Sequence, residues 1–243
     1  MKILFFIYFI YLNYSVLFAN DNSYPIKKGD IQIGIFQPVT YGAKHNIDIS
    51  THPLLFFIKP NISIKKFYRE FNGIGVANRY SAEYPTPLLK ILQRDGIGGL
   101  ISEDPTIEQI PNLIVLHGEW LLTKIYKNNI TLTTKLGFST CIDCNLDKRL
   151  IIDYDIVYPR MALYHYNIGT NIGVDLDYIF SEKIYTKGDF DILLLPNENL
   201  FFEHKFIISY RITNKYTLSS GYKFTYGHYP INKEKGLINL FPI

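Results

Sequence analysis

Over residues 164–180 the chain alternates, position by position, between two kinds of side chain. One set is Tyr164, Tyr166, Ile168, Thr170, Ile172, Val174, Leu176, Tyr178 and Phe180; the other is His165, Asn167, Gly169, Asn171, Gly173, Asp175, Asp177 and Ile179. A period of two is the mark of an extended strand with one apolar and one polar face, because successive side chains point to opposite sides. The register holds for 17 residues, against about 5–6 in a mean soluble strand. That length suits a strand that crosses a bilayer at a tilt, which takes about 9–11 residues, and then extends beyond it.

The same pattern recurs. Phe202, His204, Phe206, Ile208, Tyr210 and Ile212 alternate with Glu203, Lys205, Ile207, Ser209 and Arg211. After Thr213, Asn214 and Lys215, the set Tyr216, Leu218, Ser220, Tyr222, Phe224 and Tyr226 faces away from Thr217, Ser219, Gly221, Lys223 and Thr225. Residues 130–138 and 186–194 behave alike. Read this way, the chain holds eleven strands, at 30–39, 46–52, 61–71, 74–84, 112–126, 129–140, 162–180, 183–195, 201–212, 215–227 and 236–242. Short turns at 42–46, 72–73, 127–129, 181–183 and 213–215 alternate with longer connections at 53–60, 85–111, 141–161, 196–200 and 228–235.

A soluble sandwich also has one apolar and one polar face. Two features favour a membrane barrel instead. The apolar face is aromatic at segment ends and aliphatic between them, and the opposite face mixes both charges with Gly, Ser, Thr and Asn. The 20 Tyr and 17 Phe, against 1 Trp, suit strands and a membrane interface. Apart from the N-terminus, no stretch is long and apolar enough for a spanning helix. A crossing must therefore be made by strands. The expected fold is all-β, an antiparallel transmembrane β-barrel of about 10–12 strands.

The N-terminus reads as a secretory signal: Lys2, an apolar run at 3–12, then Ala19 as the residue before the cut. The expected organisation is a signal peptide at 1–19 and a barrel at 20–243 in the cell outer membrane. Its expected partners are outer-membrane lipid and the machinery that inserts barrels. A net charge of +3 is too mild to point to nucleic acid, and the pattern leaves the oligomeric state open. Eleven strands conflict with the even number usual in such barrels. Three resolutions are open: a strand more, an N-terminal segment threaded through the interior, or a misplaced boundary. The ending Leu240-Phe241-Pro242-Ile243 lacks the terminal aromatic usual for a final strand, so the pattern leaves open whether the C-terminus is truncated.

Scattered segments carry a likeness: 34–42 (GIFQPVTYG), 50–55 (STHPLL), 60–65 (PNISIK), 84–89 (YPTPLL), 158–160 (YPR), 203–205 (EHK) and 220–227 (SGYKFTYG). In these the chain resembles an uncharacterised family of bacterial outer-membrane β-barrel proteins. The resemblance implies a barrel and an outer-membrane address, and no activity.

The candidate lumen-lining residues are Asp48, Lys65, Arg69, Arg79, Glu83, Glu119, Lys135, Asp175, Asp177, Lys187, Asp189, Glu203, Lys205, Arg211 and Lys223. Opposite charges on neighbouring strands pair and fill a narrow interior; the alternative is a charge-selective constriction. Cys141 and Cys144 form the one CxxC, for which a loop disulfide is expected in an exported protein, ahead of free thiols or a redox or metal centre. A lipid-cleaving barrel needs an outward Ser–His pair, and His204 with Ser220 on the next strand is the one conceivable pair. No nucleophile motif supports it, so no catalytic residue, metal or cofactor is expected. Leu88, Leu89, Ile91 and Leu92 suggest a short helix in the longest loop, ended by Gly96. The expected function is structural or passive diffusion of an unknown substrate. The alternatives are a lipid-modifying barrel enzyme and a soluble secreted β-protein that binds a partner.

Overall fold

The structure is a computed structural model that describes residues 22–33, 38–93, 110–126, 129–144, 146–147, 150, 161–196, 199–213, 217–227 and 237–242. The expected signal peptide at 1–19 and Gly96 lie outside the described residues. The chain is all-β. One antiparallel sheet contains every strand, and each strand pairs with the next in sequence, so the order is β1 to β12 without crossover.

The strands are β1 (Ile31–Gln32), β2 (Val39–Lys44), β3 (Ile47–Thr51), β4 (Asn61–Phe71), β5 (Ile74–Glu83), β6 (Ile114–Tyr126), β7 (Ile130–Ile142), β8 (Ile168–Ile179), β9 (Ile184–Leu195), β10 (Asn199–Arg211), β11 (Thr217–Gly227) and β12 (Leu237–Pro242). Among the described residues three short helices interrupt the connections: α1 (Pro53–Phe56), α2 (Thr86–Leu92) and α3 (Leu163–Tyr166). Among the described residues no helix is long and apolar enough to cross a membrane.

Two sequence expectations need correction. The first segment, 30–39, is not one strand. β1 ends at Gln32, and β2 begins at Val39 and runs through Gly42, which the sequence placed in a turn. Pro38 stands just before β2 and lacks the N–H a continuous ladder would need. The count becomes twelve, and the outer ends of β1 and β12 then both lie at the short-turn end of the sheet.

The second correction concerns the long alternating run. Residues 163–166 are helical, and Asn167 closes that turn at φ 66°, a left-handed conformation that Asn tolerates better than most residues. β8 therefore begins at Ile168. Tyr164 and Tyr166 alternate with their neighbours by coincidence, since Leu163 and Tyr164 are buried by helical contacts. The expected Asn72-Gly73 turn is present, with both residues at positive φ (50° and 74°). That is what a two-residue hairpin demands, and why Asn-Gly serves there.

The ladder is staggered in one direction. Reading straight across the strands, Asp48 pairs with Lys65, then Arg79, Glu119, Gly137, Asn171, Leu193, Phe201 and Gly227. Asp48 is next to the turn-end start of β3. Phe201 is ten residues, 201 to 211, from the turn end of β10.

The hydrophobic core lies at the other end of the sheet. The loop connections contribute Leu88, Leu89 and Leu92 of α2, then Leu113, Leu146, Leu150, Met161 and Leu163. They pack on Val115, Cys141, Leu195 and Phe201, where the strands end. Helix α2 covers the expected helical segment but starts earlier and ends at Leu92.

Candidate functional site on the charged face

Residues paired across an antiparallel ladder share a face. Asp48, Lys65, Arg79 and Glu119 follow one another across β3 to β6, which puts all four on one side. Alternation and register add Glu83, Lys135, Asp175, Asp177, Lys187, Asp189, Glu203, Lys205, Arg211 and Lys223 to the same side. Arg69 does not join them. A bulge between Phe67 and Arg69 advances the register by one, so Arg69 pairs with Val76 on the apolar side and Glu70 takes the place on the charged side opposite Gly75. No sequence signal marks that bulge.

Burial on the two faces is inverted relative to a soluble protein. The charged face holds Lys135 at 6%, Lys223 at 2% and Thr225 at 0% exposure. The apolar face holds Trp120 at 53%, Phe138 at 50% and Ile208 at 51%.

The buried charges are paired. Lys65 Nζ is 3.2 Å from Asp48, and Lys223 Nζ is 2.8 Å from Glu203. Arg79 Nε meets the Glu119 carboxylate. Lys135 Nζ gathers three carboxylates, Asp175 at 2.7 Å, Asp191 at 3.0 Å and Asp189 at 3.5 Å. Gly173, on the neighbouring strand, makes this approach possible, since a Cβ there would stand 2.0 Å from the Asp191 carboxylate and 2.5 Å from Lys135. Asp191 alternates in the sequence with the same face as Asp189 but is not among the candidate lumen residues. Lys187 reaches Asp177 only at 3.9 Å, nearer solvent. Lys205 stands opposite Asp189 on one side and Lys223 on the other, while Arg211 is exposed at the turn end of β10. His117 Nδ1 and Ser139 Oγ hydrogen-bond each other at 2.6 Å.

Both ends of this face are covered. At the loop end the apolar cluster lies over it, joined by Lys59, which pairs with Glu83 at 2.6 Å. Lys59, in the connection between β3 and β4, carries no sequence signal for this role. Beside the pair lies the fully buried Tyr164. Burial pushes its phenol pKa up; Lys59 pulls it down and Glu83 adds to the rise. Cys141 at the end of β7 and Cys144 in the following loop are disulfide-bonded, with Cα atoms 5.6 Å apart. At the turn end, residues 22–30 cross the charged face, touching β2 to β6.

On the apolar face His204 is fully engaged. Its Nδ1–H donates to the Asp189 carbonyl at 2.9 Å, its Nε2 faces the Tyr222 hydroxyl at 3.1 Å, and its ring stacks on Phe190 at 4.2 Å. Ser220 pairs with Ile208 and His204 with Phe224, which puts the serine four residues along the strand. The conceivable Ser–His pair of the lipid-cleaving alternative is not brought together.

No protein-family model and no curated protein matches this sequence.

Proposed function

We propose that this chain is a bacterial outer-membrane β-barrel protein with a filled, end-closed interior, and that its role is structural rather than passive diffusion. The inverted burial carries the reading. Among the described residues the charged side is covered only at its two ends, so a single sheet buries the stretch between them by curving round on itself. The charged face is buried and its charges are paired, whereas the Ile, Leu and Phe face is left exposed. In water such an outer surface is an aggregation hazard; in lipid it is what the solvent demands.

Two further observations support it. The strands from β4 to β11 run 10 to 13 residues, the length of a tilted crossing. The one-directional stagger is the shear that closure of a barrel requires. The paired charges and the two covered ends argue against an open channel.

The test is fractionation together with gel mobility, with and without boiling in SDS. An outer-membrane address and a heat-dependent shift are expected. A soluble protein without a shift would overturn the reading and return the alternation to a secreted sandwich. Purified protein in planar bilayers is then expected to be silent, and steady ion steps would restore the diffusion channel. Lipid hydrolysis lost in His204→Ala would restore the enzyme.

A further inference from the structure

We infer that residues 22–30 form a releasable strap that closes the turn end of the interior, held by the Lys65–Asp48 pair. The inference rests on the barrel reading for what the strap closes, but not for how the strap is held.

The strap is bound as a peptide is bound, through its backbone. Lys65 Nζ donates to the carbonyls of Asn22 at 3.1 Å and Tyr24 at 2.8 Å. Asp48 accepts from the Ile26 N–H, with its two oxygens at 3.2 and 3.3 Å. The same lysine and aspartate are bonded to each other, so one buried ion pair grips the strap at both its carbonyl and amide sides. The Ser23 N–H donates to Thr123 Oγ1 at 2.8 Å, on β6. The Tyr24 ring lies 5.6 Å from Phe67, and its hydroxyl reaches Glu70 at 3.4 Å.

The wall is shaped for the strap. A Cβ at Gly75 would stand 2.5 Å from Ser23 Oγ and 2.9 Å from the Tyr24 ring, and a Cβ at Gly42 would stand 2.3 Å from the Lys27 carbonyl. Two glycines on different strands thus open the groove. At the other rim the interior is closed by an apolar cluster, which has no part in the polar grip. Hydrogen bonds to a charged group are strong when dry and weaken when water competes. Breaking the ion pair therefore frees the strap while leaving that cap intact.

The native cysteines are bonded to each other, so Ser23→Cys supplies a single thiol, and Ser23 is 0% exposed. Labelling by a bulky maleimide is expected to be slow in the Ser23→Cys protein. It should quicken about ten-fold or more when Lys65→Met or Gly75→Val is added, with the heat-dependent gel shift kept. The first variant removes the grip and the second fills the groove, so either suffices if the other fails to fold. Equal rates in every background would overturn the proposal, whether uniformly fast or uniformly slow. Ser23→Cys/Thr123→Cys, at two positions already joined by the 2.8 Å Ser23 N–H to Thr123 Oγ1 bond, is expected to cross-link under mild oxidation, and failure to do so would equally sink the strap. Loss of the gel shift in the parent protein would defeat the barrel reading alone, since the cross-link still reports the docked segment.

Discussion

Lys223 Nζ sits 2.8 Å from Glu203 Oε1 across β10 and β11, with the lysine side chain 2% exposed. Both residues are largely withdrawn from water, so the ion pair is made in a dry setting. Removing one partner of a buried pair costs about 3–5 kcal/mol, because a lone charge is left behind. Lys223→Met should lower stability by roughly that amount, and Lys223→Met/Glu203→Leu should recover most of it. Urea unfolding followed by the gel shift measures both; an equal loss in the single and double variants would contradict the pairing.

Lys135 holds a more lopsided cluster, one cation against Asp175, Asp189 and Asp191. Lys135→Met should be the most damaging single change on the charged face, because three carboxylates then repel one another in a dry setting. Adding Asp191→Asn should restore part of the loss. If Lys135→Met unfolds no more easily than the parent, the cluster is solvated and the filled interior is wrong.

Leu136 neighbours Lys135 in the chain but faces the other way, 48% exposed in the middle of β7. Leu136→Arg should cost about 2–4 kcal/mol for folding into a bilayer, the range for a cation at the lipid midplane. In a water-soluble protein the same change would be neutral or would improve solubility. Folding titrations in lipid vesicles separate the two.

Tyr164 gives the loop-end cap a pH dependence. Its folded pKa lies above the ordinary phenol value, chiefly through burial. The stabilisation is therefore complete below about pH 10, the unperturbed value, and is lost as pH rises through the folded pKa. Protease resistance of the cap should fall at alkaline pH, and Tyr164→Phe should flatten that fall. A Tyr164→Phe profile that parallels the parent would assign the loss to other groups.

Most of the candidate site was legible because a strand has a period of two. Once the apolar face was recognised, the charged face followed at Arg79, Glu119, Lys135, Asp175 and Lys223 without knowledge of the pairing. Arg69 failed because one extra residue in β4 reverses every later assignment on that strand. Residues 163–166 failed for a different reason. A four-residue helix is too short to declare its own period, and its place was set by burial against α2 and Leu146.

The sequence by itself determined the two faces of most strands and the place of most hairpins, since alternation, Asn-Gly and short polar breaks are local properties; the β4 bulge, the end of β2 and the helical turn at 163–166 escaped it. Only the tertiary structure decided that Lys135 serves three aspartates, that Lys59 finds Glu83, that His204 meets Tyr222 rather than Ser220, and that residues 22–30 lie across the charged face. Those are contacts between strands or loops distant in the chain, fixed by the register between strands, and no periodicity of a single segment records them.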